Sequence, residues 1–511
     1  MKKFRISTVV DYFKRQRIQF YILIVILLIG GVLRFYNYPY RYSLGEETVR
    51  DAVIGIEGAR QLQFPLTGSF SSLGPFTFGP WYAYQLIIFY LIFPFVYSPW
   101  TYLSLISVLY IFIMYKIGRI LGGANFGLIL SFLAAISPAQ IISATHLTSH
   151  NNTNLFAVLA IWIFLILISR NKSSTESVLD KSKWWNFLLG FVIGVGMNLH
   201  FQMGGLLILP LILLVYKRKF LNFVYSGLGV IITFVPMLVF EMNNHWFTTR
   251  NIFFYLTEGK NAIYVPNRWL FYLRDFWPAF WSDALGIPVW FGSVTIILFL
   301  ISLIWLVSKK KLSINLILLI TAFLVNFILL RYYWGPRFFG YLNFLRPFVF
   351  IFTTFAILNL KYKKVYLGLI LLPLIIFFSY PRTTSELKKD GFSMWVYGGV
   401  NELEKKYPND KFVLYTCSTK YNSYYNSPAF SILFLLEMKN KHGDKGIKIG
   451  LKEKCQFPRK TDLEDYPILS SIGLVDFSSA SDSAILKAGW KPITFSKMYD
   501  QYARWWFELK P

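Results

Sequence analysis

The chain has 511 residues, of which 55% are hydrophobic and only 15% charged. That balance excludes a soluble globular protein of this size, and repeated apolar runs of roughly 17–22 residues mark a polytopic helical membrane protein. The formal net charge of +26 would suggest nucleic acid in a soluble chain, but here the base lies mostly in short loops between apolar runs. This is the positive-inside pattern, which suits membrane lipids and a phosphate-bearing lipid substrate and gives no reason to expect a nucleic-acid partner.

The N-terminus is basic and then apolar, with no small-residue cleavage site, so the first span, about Ile18–Phe35, reads as a retained signal anchor with a cytoplasmic N-terminus. Its exit places the first extracytoplasmic loop, 41–99, outside. That loop holds Glu46, Glu47 and Asp51 within six residues, with Arg50 among them. Over Gly45–Gln63 the spacing of Val49, Val53, Ile56 and Leu62 predicts a short amphipathic helix. The run Trp81–Tyr97 is long enough to span. If it lies at the outer interface instead, the basic clusters at Lys116 and Arg119, Arg170–Lys183, Lys217–Lys219, Lys309–Lys311 and Lys361–Lys364 all fall inside.

Further spans are expected at Trp100–Leu121, Asn125–Ala144, Leu155–Ser169, Trp185–Leu199, Gly204–Tyr216, Phe220–Phe240, Ala284–Val307, Ser313–Leu330, Phe344–Leu360 and Val365–Tyr380, about eleven in all. Residues 1–380 thus form an all-α transmembrane domain. From 381 to 511 the composition turns polar, and alternating helical and strand patterns predict a small extracytoplasmic α/β domain. Its Cys417 and Cys455 form one disulfide outside the cell or remain two thiols.

The outer connections carry the chemistry. The first has Glu46, Glu47, Arg50 and Asp51. SATHLTSHNNTN has His146, His150 and Asn151; NLHFQMGG has His200 and Gln202; FEMNNHWFTTR has Glu241; LRYYWGPRFFGYLNFLRP has Arg331, Tyr333, Trp334, Arg337 and Arg346. Ionisable groups in mid-membrane mark ion-coupled transport; gathered at one membrane face they suggest an interfacial active site. Outside arginines oppose the charge rule and call for a counter-anion. A phosphate on a lipid carrier would serve, as would headgroups or pairing with Glu47 or Asp51. A carboxylate of Glu46 or Glu47 suits a general base that activates an acceptor hydroxyl, and equally a helix N-cap. Tyr333 and Trp334 could stack on a sugar. The sequence has no H-E-x-x-H, C-x-x-C, Walker loop or G-x-G-x-x-G element, so no metal site or cofactor is expected to be required.

Glu47-x-x-Arg50-Asp51-Ala52 resembles the Asp-x-x-Arg-Asp-Ala element of family 39, or dolichyl-phosphate-mannose mannosyltransferase-like, membrane glycosyltransferases of the GT-C fold. This group is related to protein O-mannosyltransferases and aminoarabinose lipid A transferases. GPFTFGPWYAYQL, SPAQIISATHLTSHNNTNLF, NLHFQMGGLLILP and FEMNNHWFTTRNIFFYL resemble further family elements in matching order over about Tyr21–Leu360. The resemblance implies a juxtamembrane helix at Trp81–Tyr97, a polyprenyl-phosphate sugar donor, and inverting transfer on the extracytoplasmic face. The acceptor would be a glycan, lipid or protein, and the membrane the plasma (inner) membrane.

Counting back from Arg50-Asp51-Ala52 selects Glu47 as catalytic acid where the family has Asp; reading Glu46–Glu47 as an Asp-Glu pair selects Glu46. The donor phosphate is assigned to Arg331, Arg337, His200 and Arg50. Sugar and acceptor contacts go to Asp51, His150, Asn151, Gln202, Glu241, Tyr333 and Trp334. A lipid-linked oligosaccharide polymerase or ligase, and a transporter or flippase, are the alternative readings.

Overall fold

The computed structural model describes residues 6–37, 40–71, 76–169, 177–258, 268–333, 337–362, 365–388, 391–416, 428–451 and 474–494. Cys417, Cys455 and Trp334 lie outside the described residues. The helices run α1 (Ile6–Phe35), α2 (Glu46–Gln61), α3 (Trp81–Ile92), α4 (Ser98–Ile136), α5 (Pro138–Ser143), α6 (Ser149–Ser169) and α7 (Ser177–Leu199). They continue with α8 (Ile208–Lys217), α9 (Phe220–Thr233), α10 (Val235–Asn243), α11 (Phe247–Glu258), α12 (Arg268–Phe271), α13 (Trp277–Leu285), α14 (Val289–Ser308), α15 (Ile314–Tyr332), α16 (Arg346–Asn359) and α17 (Leu371–Lys388).

Among the described residues, seven helices are long and apolar enough to cross a membrane, or eight if α9 and α10, bent by 51°, count as one span. This is fewer than the eleven expected, in part because the two legs of α4 count as one helix. At 39 residues α4 would run ~58 Å, nearly twice a ~30 Å hydrocarbon core. It leaves helical geometry at Gly122 and Gly123, where Gly123 has φ +82°. Its two legs then meet so closely that a Cβ on Gly118 would lie 2.5 Å from the Gly127 Cα. The break falls between the expected spans Trp100–Leu121 and Asn125–Ala144, so the two legs correspond to that pair, the second leg ending at Ile136. α3 is only 12 residues, ~18 Å, too short to cross.

Two buried cations of the bundle, Arg34 and Arg346, find partners locally. Arg34 donates to Ser107 Oγ at 2.7 Å and to the carbonyls of Gly30, Ala134 and Ala135. Arg346 pairs with Asp283 at 3.0 Å, and the second oxygen of Asp283 takes Arg382 at 2.7 Å. Asp283 is therefore the counter-charge that Arg346 requires. Burial raises its pKa, but the two guanidiniums more than offset this and hold it below the usual carboxylate range.

α2 forms as the spacing of Val49, Val53 and Ile56 predicts, and these three side chains are fully buried. Leu62 does not share that face: it is the C-cap, at φ 54° and 69% exposed. The apolar face of α2 joins one core with the C-terminal segment, built from α18 (Gly391–Lys406) and α19 (Pro428–Met438). Trp100 meets Phe434 edge-on at 5.9 Å, and Ser393 Oγ accepts from Leu44 N–H.

Beyond the helices, β1 (Lys361–Tyr362) and β2 (Val365–Tyr366) make a small hairpin. β3 (Phe412–Thr416), β4 (Ile447–Leu451), β5 (Leu474–Asp476) and β6 (Lys491–Ile493) form a sheet in the order β5-β4-β3-β6, with α20 (Asp482–Lys487) before β6. β3 and β4 are parallel, as a crossover through α19 demands, and the flanking strands are antiparallel. α17 runs straight through position 380, so the change of composition there is not a break in secondary structure.

Candidate functional site

A cavity of about 690 Å³ opens at the end of the bundle next to α2. α2 presents Glu47, Arg50 and Asp51 to it on the face opposite its apolar stripe, since positions i, i+3 and i+4 share one side of a helix. The connection 67–79 supplies Ser69, Phe70, Phe76 and Phe78. Its two described arms pair antiparallel, with Gly68 N–H donating to Phe78 C=O and Phe78 N–H to Ser69 C=O. Gly79 presses it onto the end of α7: its N–H donates to Asn198 C=O at 2.9 Å, and a Cβ there would lie 1.6 Å from Asn198 Oδ1. The remaining walls come from the start of α6, the 3₁₀ turn Phe201–Leu207, α11, α15 and the 3₁₀ turn Phe339–Leu345.

The three charged lining residues differ in their circumstances. Asp51 is 3% exposed, and its Oδ1 accepts from Arg50 Nε at 2.9 Å and Nη2 at 2.8 Å. Burial raises the Asp51 carboxyl to about 6 despite the lowering by Arg50, and Glu47 adds to the rise. Glu47 is exposed and, among the described residues, makes no hydrogen bond or ion pair. Glu46 opens helix α2.

A row of rings lines the opposite side. Phe78 stacks on His200 with centroids 5.2 Å apart, His200 lies 4.6 Å from Tyr341, and Tyr341 meets His150 edge-on at 5.5 Å. Burial pushes the His200 imidazole down to about 4, so it is neutral at physiological pH. His150 Nε2 is 3.2 Å from Thr148 Oγ1. Gln202 and Tyr333 complete the expected residues that line the cavity.

The fold is shared with solved structures, although no family model and no curated protein matches the sequence. The chain is similar to the Archaeoglobus fulgidus oligosaccharyltransferase in the apo form, with TM-score 0.50 and 14% identity, covering 80% of this chain and 60% of that one. It is similar to oligosaccharyltransferase AglB from Archaeoglobus fulgidus in complex with an inhibitory peptide and a dolichol-phosphate, with TM-score 0.52 and 15% identity, over 77% and 59%. The fold is GT-C. A weaker likeness joins ArnT from Cupriavidus metallidurans in the apo state, TM-score 0.48 and 12% identity, over 82% and 69%. The chain spans about 60% of the length of the oligosaccharyltransferases it matches. It is a GT-C integral membrane protein with a small mixed sheet near its C-terminus.

Several expected residues of this GT-C chain lie outside the cavity lining. Glu241 caps α11: its two oxygens accept the N–H groups of Thr248 and Thr249, each at 2.8 Å, across a turn in which His245 and Trp246 take positive φ. Arg337 folds back to donate to the carbonyls of Leu330, Arg331 and Tyr333 at the end of α15. Asn151 donates to His146 C=O and accepts from Asn343. Arg331 is 8% exposed and stacks over the Trp269 ring at 4.7 Å; its Nε is buried without a partner, and no described acid pairs with it. Phe78, Tyr341, Asn326 and Gly205 line the cavity without having been singled out. The available signal was Asn326, an amide inside an otherwise apolar span. Among the described residues no three of His, Cys, Asp or Glu gather as metal ligands.

Proposed function

We propose that this protein is an inverting membrane glycosyltransferase. It moves a sugar from a polyprenyl-phosphate donor to a glycan, lipid or protein acceptor on the extracytoplasmic face, with Glu47 as base. The supporting observation is the contrast between the two described carboxylates of the cavity. Asp51 is tied to Arg50, whereas Glu47 makes no ion pair among the described residues. Glu47 removes the proton of the acceptor hydroxyl as its oxygen bonds to the anomeric carbon. The bond from that carbon to the phosphate oxygen breaks on the opposite face, and polyprenyl phosphate leaves as a stable anion. Asp51 holds Arg50 in place so that the guanidinium faces the site without neutralising Glu47.

Arg331, a buried cation lacking a described counter-ion, is assigned to the donor phosphate together with His200 and Arg50, while Arg337 is committed to the carbonyls at the end of α15. Leu256 and Leu329 line the cavity while being 64% and 58% exposed, which gives the lipid tail a lateral way out. The AglB structure with a dolichol-phosphate offers a carrier of the same class. By the charge rule the N-terminus is cytoplasmic, the C-terminal domain extracytoplasmic, and the membrane the plasma (inner) membrane.

The test incubates purified protein with labelled polyprenyl-phosphate sugar. Glu47→Gln abolishes transfer while leaving the protein folded; wild-type transfer in that variant, with Glu46→Gln dead, reverses the assignment. Arg331→Ala weakens donor binding about tenfold or more. Unchanged donor affinity removes Arg331 from the phosphate site.

A further inference from the structure

The cavity has two chemically distinct walls. Among the described residues, its carboxylate and guanidinium groups, Glu47, Arg50 and Asp51, all come from α2. The deeper wall is built from the 3₁₀ turn and α15. Gln202 and Gly205 share a side of the turn because i and i+3 eclipse in a 3₁₀ helix. Asn326, Leu330 and Tyr333 share one face of α15 at helical spacing. Asn326 lies seven residues below Tyr333, ~10 Å further into the bundle.

The two elements touch there: Asn326 Nδ2 donates to Gly205 C=O at 3.0 Å and to Ala322 C=O at 2.9 Å. A Cβ on residue 205 would lie 2.0 Å from Asn326 Oδ1, so only glycine allows this approach. With its N–H groups committed, Asn326 has only an acceptor oxygen left to offer.

The hydrogen-bonding capacity of this wall is only partly used: the Tyr333 hydroxyl interacts with Gln202 and with Tyr255. Both polar atoms of the Gln202 amide are buried without a protein partner of ordinary geometry, and so is Nδ1 of His200, itself 8% exposed. A buried amide left unpaired destabilises the empty site, and a ligand that pairs it relieves that cost. The wall supplies amide donors, amide acceptors, a phenol and a neutral imidazole, with the Phe344 and Tyr341 rings beside them. It supplies no charge, and at this depth an unpaired ligand charge would be costly to desolvate.

We infer that the Gln202–Gly205–Asn326–Tyr333 wall is the subsite for the sugar ring of the donor, and that this sugar is an uncharged, hydroxyl-bearing ring. Uronic acids and free amino sugars are excluded from it. The inference rests on the proposed glycosyltransferase reading and adds the class of sugar. Gln202 recognises ring hydroxyls as both donor and acceptor, Asn326 Oδ1 accepts from one, and Gly205 keeps the floor open. The ring then lies between this neutral wall and the carboxylates of α2.

The experiment measures binding of polyprenyl phosphate alone and of the same carrier bearing glucose, glucuronic acid or glucosamine to the full-length protein in lipid nanodiscs, alongside transfer from each. The expected result is that the glucose carrier binds about tenfold or more tightly than either charged carrier, the difference expected from one or two buried hydrogen bonds and one unpaired charge. Gln202→Ala erases the gain over bare polyprenyl phosphate while leaving bare-carrier binding unchanged, which also shows the variant to be folded. Equal or tighter binding of a charged carrier overturns the inference, as does a loss in Gln202→Ala that is the same for bare and glycosylated carriers. Transfer from a charged carrier alone overturns it and leaves the glycosyltransferase reading standing. Preferred binding of the glucose carrier with no transfer from any carrier keeps the subsite and overturns that reading.

Discussion

Replacing Asp51 by asparagine separates a residue kept for stability from one kept for its charge. The carboxyl is 3% exposed, and its pKa rises from the ordinary 3.8 to about 6 because burial outweighs the pull of Arg50. The direction of the linkage follows. Below pH 3.8 the acid is protonated in both the folded and unfolded states and costs nothing. As the pH rises through about 6 the folded protein must accept a charge that burial disfavours, and stability is lost. At about 1.4 kcal/mol per pH unit, the full loss is about 3 kcal/mol at pH 7.5.

An uncharged isostere avoids that cost. Asp51→Asn therefore raises the unfolding free energy by up to about 3 kcal/mol at pH 7.5, and the gain vanishes below pH 4. Transfer activity falls in the same variant, because the charge of Arg50 then acts on Glu47 without compensation. The wild-type acid limb near pH 6 disappears from the pH profile. Denaturant unfolding in detergent at the two pH values, with transfer followed from pH 5 to 8, is the assay. A variant less stable than wild type at pH 7.5 would refute the reasoning and make the Arg50–Asp51 pair an ordinary structural ion pair.

Three further outcomes follow from contacts already described. Glu241→Gln leaves the Thr248 and Thr249 N–H groups with one neutral acceptor in place of two charged ones, and costs about 2 kcal/mol in unfolding free energy. Because α11 carries Ile252, Tyr255 and Leu256 to the cavity, the same variant raises KM for donor more than it lowers kcat. Asp283→Asn strands Arg346 and Arg382 and destabilises by about 3 kcal/mol. Adding Arg382→Ala to it costs less than the sum of the two single changes, which a double-mutant cycle on unfolding checks.

The sequence made the membrane class and the acidic cluster of α2 legible, because both rest on local spacing. Apolar periodicity put Val49, Val53 and Ile56 on the buried face of α2, and by subtraction put Glu47, Arg50 and Asp51 on the other. His150, His200, Gln202 and Tyr333 reach the same cavity from three separate connections, as grouping the polar connections at one end of the bundle implies. What stayed hidden depends on how the chain turns back on itself. Glu241 and Arg337 belong to residue types expected at such a site, yet each faces a helix end: Glu241 across the turn at His245–Trp246, Arg337 onto the last carbonyls of α15.

The two-faced character of α2 has a practical consequence. The helix that carries Glu47 shares its core with Phe430, Leu433 and Phe434 of the C-terminal segment as well as with Tyr82, Leu86 and Trp100, so a truncation near residue 380 would strip part of the cover from its apolar face. The membrane portion is therefore not a separable unit, and a spectroscopic probe attached to α18 would report strain in the helix that carries Glu47. A ligand or antibody fragment that grips the C-terminal segment has a mechanical handle on the site without touching the cavity.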